Sequence, residues 1–229
     1  AEALCRCLAA RKRGKVTELA VRLEKKRITR EDLSALLYDM AKGADAFLWN
    51  GHSNVDTRGD CVVIDTNRLQ NSSDEVKAAQ YFNYLTLGWE EICADRRRPV
   101  VFVCDEAHIL FDPANPRPAM MMRNIAVRAR KYEGALMVAF QSLAFLMSPE
   151  VRLYGQALVD NSTYKILFGC DGKNLEDAAA LFRLTESECA ILRGRRRSRA
   201  LCLIGQQHIS VDFQVPQYKL ELMGTGGGR

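Results

Sequence analysis

The sequence predicts an α/β fold, with a mainly parallel sheet flanked by helices. Short apolar runs rich in β-branched residues alternate along the chain with longer segments whose apolar residues recur at helical spacing. The clearest run, Val100–Cys104, is continuous in apolar character, which is typical of a strand buried on both faces in the centre of a parallel sheet. A second such run, Ala135–Phe140, follows a predicted helix.

Composition limits the classes of protein to consider. The 229 residues are 48% hydrophobic and 27% charged, enough for one domain with a real core. No apolar run approaches the roughly 20 residues needed to span a bilayer. The eight cysteines form no CxxC pair and have no zinc-ligand spacing with the three histidines, and several lie inside apolar runs as expected core residues. A reducing, cytoplasmic location is therefore expected. Because the first residue is Ala1 and not Met, we expect the chain to be part of something longer.

The first part of the chain, residues 1–60, is predicted to be a helical segment. Apolar residues have helical spacing over residues 15–27, and a second amphipathic stretch runs from Thr29 to a stop at Gly43. Residues 61–223 are predicted to form the α/β core, and residues 224–229 a flexible glycine-rich tail.

Within the core, the expected elements follow one another in order. Cys61–Asp65 predicts a short strand, and Ser72 with Glu75 forms a capping-box pattern that opens a long helix. After Val100–Cys104 the pattern predicts a helix over 120–132, strands over 135–140 and 164–169, and a short helix over 175–182. Thr185 with Glu188 predicts a capped start for another short helix. Two final strands, 199–205 and 208–215, are expected to be joined by a tight turn.

Polar side chains follow two of the predicted strands directly. Asp105 and Glu106 end the first strand, and Gln141 and Ser142 end the next. In a parallel sheet these ends open onto one edge, where ligands of α/β proteins bind. On this interpretation Asp105 orients the water shell of a magnesium ion, Glu106 polarises an attacking water, and Gln141 senses a γ-phosphate. The alternative is structural, since Asp caps helices well and Glu favours a first helical turn.

Basic residues cluster in two further places. Arg128 and Arg130 lie at the end of the helix before the second strand. Positive charge there is favourable because of the helix dipole alone. The functional alternative is an arginine finger, whose charge stabilises a transferring phosphoryl group. The stretch from Arg193 to Arg199, which we call the arginine cluster, holds five arginines in seven residues. Solvated loops are the simplest interpretation of such a run.

The order of these motifs resembles the C-terminal motor domain of the assembly ATPases of conjugative type IV secretion systems, in the FtsK–HerA branch of RecA-like motors. The resemblance covers nearly all of residues 30–220. It rests on Leu48-Trp49-Asn50-Gly51 with Asn54-Val55-Asp56, Val62-Val63-Ile64-Asp65, Phe102-Val103-Cys104-Asp105-Glu106-Ala107-His108, Arg130-Lys131-Tyr132-Glu133-Gly134, Ala139-Phe140-Gln141-Ser142, Asp160-Asn161 before Lys165-Ile166-Leu167, and the closing Gly205, Val211-Asp212-Phe213 and Pro216.

The resemblance implies roles and partners that the residues alone do not fix. Asp105 and Glu106 become the Walker B pair, and Arg130 becomes the finger in preference to Arg128. Arg193 and Gly194 resemble a late motif near the nucleotide, although the neighbouring arginines leave its register open. The family further implies a hexameric ring whose partners are the secretion channel and its coupling components. It also implies peripheral association with the inner face of the cell membrane. DNA is a further candidate partner.

One motif of the family is absent from these 229 residues. A phosphate-binding loop requires G-x-x-x-x-G-K-[ST], whose backbone amides hold the phosphates. Gly14-Lys15 and Gly172-Lys173 are the nearest sequences, but each lacks the first glycine and the final Ser or Thr. We therefore expect a motor domain without its N-terminal, Walker A portion. ATP and Mg²⁺ are expected only with that portion, and the chain alone is expected to be inactive.

Other functions compete with this one. Asp105-Glu106-Ala107-His108 also spells the DEAH box of superfamily-2 helicases, but Phe140-Gln141-Ser142 replaces the Ser-Ala-Thr of those enzymes. A DNA-translocating motor of the FtsK–HerA superfamily is a nearer alternative, since kinship of fold does not fix function. A third alternative is a docking or oligomerisation module without catalysis.

Overall fold

The computed structural model of the chain describes residues 34–35, 37–43, 46–51 and 55–222. Two units divide it, residues 1–63 and residues 64–229. Among the described residues of the first unit are two short helices, α1 (Tyr38–Ala41) and α2 (Ala46–Trp49). The Asn50 side-chain amide donates to the carbonyl of Ala41 at 2.7 Å. The helix predicted over residues 15–27 and the tail predicted at 224–229 lie outside the described residues.

The second unit alternates helices with strands, and it confirms the predicted α/β class with a parallel sheet. Three 3₁₀ turns accompany the regular elements in this described region, at Asn67–Asn71, Ala107–Leu110 and Ala129–Tyr132. In chain order the elements are α3 (Asp74–Ala94), β1 (Val100–Cys104), α4 (Arg117–Arg128), β2 (Gly134–Val138), α5 (Ala144–Met147), α6 (Arg152–Asn161), β3 (Tyr164–Phe168), α7 (Gly172–Phe182), α8 (Glu186–Arg193), β4 (Arg199–Ile204), β5 (Gln207–Asp212) and α9 (Gln217–Leu222).

The described strands form two sheets. β1 and β2 pair in parallel, in a register that runs from Val100 opposite Gly134 to Cys104 opposite Val138. β3, β4 and β5 pair antiparallel in that order. The tight turn predicted between the last two strands is confirmed, and Gly205 supplies the positive φ of 61° that this turn requires.

Helix α3 packs closely on β1 and on the start of β2, at two glycines. A Cβ atom on Gly88 would be 2.6 Å from the ring of Phe102, and one on Gly134 would be 2.6 Å from Ile92. The N-cap of α3 is Ser73, whose hydroxyl accepts from the Val76 N–H at 3.4 Å. The prediction of a cap at Ser72 is therefore wrong by one residue, because two adjacent serines offer the same capping group.

The parallel sheet is covered on one face only within the described residues. Val101, Val103 and Met137 are about 60% exposed (61%, 59% and 60%), whereas their neighbours along each strand are half-buried on the side of the helices. The prediction that Val100–Cys104 is buried on both faces is therefore wrong here. Helices α3 and α4 cover one side of the strand pair, and no described element covers the other.

The segment Cys61–Asp65 was also expected to be a strand, and it is not one. These residues have no regular structure, and the side chain of Val63 is 85% exposed. A strand needs a ladder partner for its backbone groups, and this segment pairs with none of the described strands.

Helices α7 and α8 pack on the antiparallel sheet around a cluster of apolar side chains. Its buried members are Leu175, Cys189, Leu192, Leu201 and Leu203. The capping box predicted at the start of α8 is confirmed, since the Thr185 hydroxyl accepts from the Glu188 N–H and the Glu188 carboxylate accepts from the Thr185 N–H. The same carboxylate lies 2.6 Å from Nδ1 of His208, which attaches β5 to α8.

Candidate active site

Two backbone hydrogen bonds bring together the turns that follow β1 and β2. The Ala139 N–H donates to the carbonyl of Cys104 at 3.0 Å, and the Ala107 N–H donates to the carbonyl of Ala139 at 2.9 Å. These bonds continue the parallel pairing beyond the strands themselves. The turn with Asp105 and Glu106 and the turn with Gln141 are therefore adjacent, as the sequence predicted for one edge of a parallel sheet.

The Gln141 side chain contacts Glu106 directly. Its amide nitrogen donates to Oε1 of Glu106 at 3.1 Å, and both residues are exposed. Asp105 turns one carboxylate oxygen inward, where Oδ1 accepts from the Glu106 N–H at 2.9 Å. The structure thus places three of the four predicted catalytic residues in one cluster, with the second oxygen of Asp105 left for another partner.

The backbone of Glu106 is left-handed, with φ 49° and ψ 40°. This conformation is uncommon for residues other than Gly, Asn and Asp, and it costs a non-glycine residue roughly 1–2 kcal/mol. It turns the chain sharply out of β1 and into the 3₁₀ turn that follows. Residue type does not predict this conformation, since Glu is not a residue that favours this region.

Two aromatic contacts join the segment that follows β1 to the segment that follows β2. His108 stacks on Phe145 with ring centroids 4.9 Å apart, and Phe111 meets Phe140 edge to face at 5.5 Å. Phe111 is fully buried, and Nδ1 of His108 is buried without a hydrogen-bond partner in the described structure. Because each contact joins the two turns, Glu106 and Gln141 belong to one packed unit.

Cys104 lies at the root of the acidic turn. Burial, and then the negative charge of Asp105, raise the pKa of the Cys104 thiol to about 11. The thiol is therefore protonated at neutral pH and is a poor nucleophile.

The acidic pair fits a magnesium ion only in combination with phosphate oxygens. No group of three or more metal-binding side chains is found among the described residues. Mg²⁺ is commonly held by one or two carboxylates plus substrate phosphates, with waters completing its shell. The exposed carboxylate of Asp105, next to that of Glu106, is a hard oxygen donor of that kind.

Arg130 lies on the 3₁₀ turn after α4 and is not joined to the acidic pair. Its side chain is exposed and makes no hydrogen bond or ion pair with any described residue. Arg128, by contrast, lies 5.0 Å above the ring of Trp89. That ring meets Tyr132 edge to face, so Arg128 is a structural residue, and Arg130 is the unattached arginine of the two.

Arg193 and Gly194 lie at the end of α8, and neither bonds to Asp105, Glu106 or Gln141 within the described structure. Arg193 forms an ion pair with Glu186 at 3.1 Å, and Gly194 ends the helix with ordinary right-handed φ. Their proposed contact with nucleotide therefore stays a prediction.

One residue of this edge was missed in the sequence. The hydroxyl of Ser142 donates to Oδ1 of Asn174 at 2.7 Å, so the first turn of α7 reaches the Gln141 turn. Asn174 is 32 residues away along the chain and carries no motif, so no local signal marks it.

Comparison with known proteins identifies a related structure. No family model and no curated protein matches the chain. A solved structure of VirB4 of Thermoanaerobacter pseudethanolicus matches 87% of the chain, at 40% sequence identity and a TM-score of 0.78. The match spans 54% of that VirB4 chain, so about half of its length is represented here. The resemblance inferred from the motifs is thereby confirmed.

None of the described helices is both long enough and apolar enough to span a membrane.

Proposed function

Because the chain is VirB4-like over most of its length, we propose that it is the Walker B part of an ATPase that powers assembly of, or transfer through, a type IV secretion system. The observation that carries this proposal is the hydrogen bond between Gln141 and Glu106 at the shared edge of two parallel strands. It joins a carboxylate suited to activating water with an amide suited to sensing a phosphate.

The residues divide the work by chemistry. Glu106, held at its angle by the left-handed backbone, accepts a proton from water or polarises it. Gln141 orients that water and the γ-phosphate from the turn after the neighbouring strand. Asp105 presents its outer oxygen toward the water shell of a magnesium ion, which when bound offsets the charge of the phosphates. Arg130, which is exposed and has no side-chain partner among the described residues, supplies positive charge to a phosphate in the site of a neighbouring copy.

The sequence contains no G-x-x-x-x-G-K-[ST] loop. We therefore propose that residues outside these 229 supply the phosphate-binding loop. ATP and Mg²⁺ are therefore ligands of the longer motor. We further propose a hexameric ring, contact with channel and coupling components, and a peripheral position at the inner face of the membrane. A salt titration tests for DNA as a partner, because binding to DNA phosphates weakens steeply as salt rises.

The proposal is tested by comparing this chain with a longer protein that includes the phosphate-binding loop. The chain alone is expected to bind ATP weakly by calorimetry and to hydrolyse none. In the longer protein, Glu106→Gln should lower turnover at least about 100-fold while ATP binding persists, because the amide keeps the size and loses the basicity of the carboxylate.

Glu90→Gln is the matched control, since Glu90 is an exposed acid of α3, outside both turns, and makes no hydrogen bond or ion pair within the described structure. Turnover should be unchanged in that variant. ATP hydrolysis by the 229-residue chain, abolished by Glu106→Gln, would contradict the need for an added phosphate loop. Normal turnover of Glu106→Gln in the longer protein would contradict the role of Glu106.

A non-catalytic docking role is the second candidate, and the exposed sheet face favours it. Val101, Val103 and Met137 present an apolar surface of a kind that often marks protein contacts. Capture of secretion-channel components by the chain in the absence of nucleotide, undiminished by Glu106→Gln, would support docking over catalysis.

A further inference from the structure

The turn that carries Gln141 is hydrogen-bonded to the first turn of α7. The Ser142 hydroxyl donates to Oδ1 of Asn174 at 2.7 Å and accepts from the Ala144 N–H at 3.2 Å. A serine hydroxyl has one proton to donate, and here Asn174 receives it. The turn immediately after Gln141 is thus bonded both to itself and to the first turn of α7.

The start of α7 is itself attached to the arginine cluster. Arg195 forms an ion pair with Asp171 at 2.6 Å, and the Cys170 N–H donates to the carbonyl of Leu192 at 3.2 Å. A Cβ atom on Gly169 would lie 2.5 Å from Cα of Arg195, so the two backbone segments touch there. A displacement of the cluster would therefore displace the start of α7, and Asn174 with it.

We propose that Asn174 is a positioning residue for the Gln141 turn, and that through it the placement of Gln141 against Glu106 depends on the arginine cluster. The proposal rests on the proposed function in taking Gln141 and Glu106 as the reacting edge. A misplacement of about 1 Å at such groups costs about 100-fold in rate. The cluster, which makes no bond to the acidic pair within the described structure, would thus act on it through Asp171 and Asn174.

Hydrogen exchange of the chain without nucleotide tests the proposal directly. In Asn174→Leu, which keeps the side-chain shape and removes the acceptor, amides of residues 139–147 should exchange about three- to tenfold faster, as expected for loss of one hydrogen bond. In Asn174→Asp the carboxylate oxygen still accepts from Ser142, so exchange should return to that of the parent chain.

The matched control is Asn83→Leu, the same substitution at an exposed asparagine of α3 with no side-chain hydrogen bond in the described part of the chain. It should leave exchange of residues 139–147 unchanged. In a Ser142→Ala background, Asn174→Leu should add nothing, because the donor is already gone. Arg195→Gln should raise exchange in the same segment, to a smaller extent, by releasing Asp171.

The outcomes separate this proposal from the proposed function. Parent-like exchange in Asn174→Leu, or fast exchange in Asn174→Asp, would overturn the positioning role. No change in Arg195→Gln would overturn the dependence on the arginine cluster. Since no nucleotide is present, a failure of ATP binding or turnover leaves each of these results standing, and the reverse also holds.

Discussion

At the scale of single residues, the acidic turn combines groups whose properties depend on their neighbours. Asp105 uses one oxygen to cap the Glu106 N–H, and its charge also acts on the thiol of Cys104 behind it. Local sequence predicted that the two carboxylates and the amide of Gln141 lie at one edge of the parallel sheet. It did not predict the left-handed backbone of Glu106 or the bond to Asn174, since both depend on how distant segments meet.

Cys104 should react slowly with alkylating reagents. With a pKa raised to about 11, only about one thiol in a thousand is ionised at pH 8. Peptide mapping after iodoacetamide treatment at pH 8 should show Cys61, which is exposed, modified well before Cys104. Asp105→Asn should speed the modification of Cys104, because it removes a charge that raises its pKa. Equal rates at the two cysteines in the parent chain would contradict this environment.

At the scale of elements, the close approach of two helices requires a glycine at one position. Helix α6 crosses α5 at Gly155, where an added Cβ would lie 2.6 Å from the carbonyl oxygen of Leu146. A backbone atom cannot move aside as the end of a side chain can. The glycine is therefore required by packing, which no local pattern in the sequence reveals.

Gly155→Ala should destabilise the chain by about 1–3 kcal/mol through overpacking, measured by urea unfolding. Gly194→Ala is the control, because its nearest atom would be 3.5 Å away and its backbone is right-handed. A substitution of that kind is expected to be neutral or to stabilise by up to about 1 kcal/mol. Equal stability of Gly155→Ala and the parent chain would show that the two helices are not packed this closely.

The elements also show where prediction from sequence succeeds. The capping box of α8 and the turn at Gly205 are complete within a few residues, and both were predicted correctly. The segment 61–65 has the composition of a strand, yet strand formation depends on a partner that composition does not specify. For the same reason, the burial of Val100–Cys104 was overestimated: its apolar run is compatible with cover on either one face or both.

At the scale of the whole second unit, a parallel strand pair with its helices carries the acidic edge, and an antiparallel sheet with α7 and α8 carries the arginine cluster. Of the side-chain bonds described above, the one between Ser142 and Asn174 joins these two parts. The relation to VirB4 covers both parts, since it extends over 87% of the chain.

The two faces of β1 should respond differently to the same polar substitution. Val103→Thr, on the exposed face, should change the free energy of unfolding by no more than about 0.5 kcal/mol. Val100→Thr, on the half-buried face, should cost about 1 kcal/mol or more, because its hydroxyl loses contact with water. Chemical denaturation of the two variants measures this difference. An equal cost at both positions would indicate that the face with Val103 is covered.

The left-handed backbone of Glu106 has a consequence for the choice of replacements in mutagenesis. A β-branched residue at this position would remove the carboxylate and also oppose the backbone angle, so loss of function in Glu106→Val would have two causes. Asn is tolerated in this region and Gly adopts it freely. Glu106→Asn and Glu106→Gly therefore report the loss of the carboxylate with the turn retained, and the difference between them and Glu106→Val measures the contribution of the turn itself.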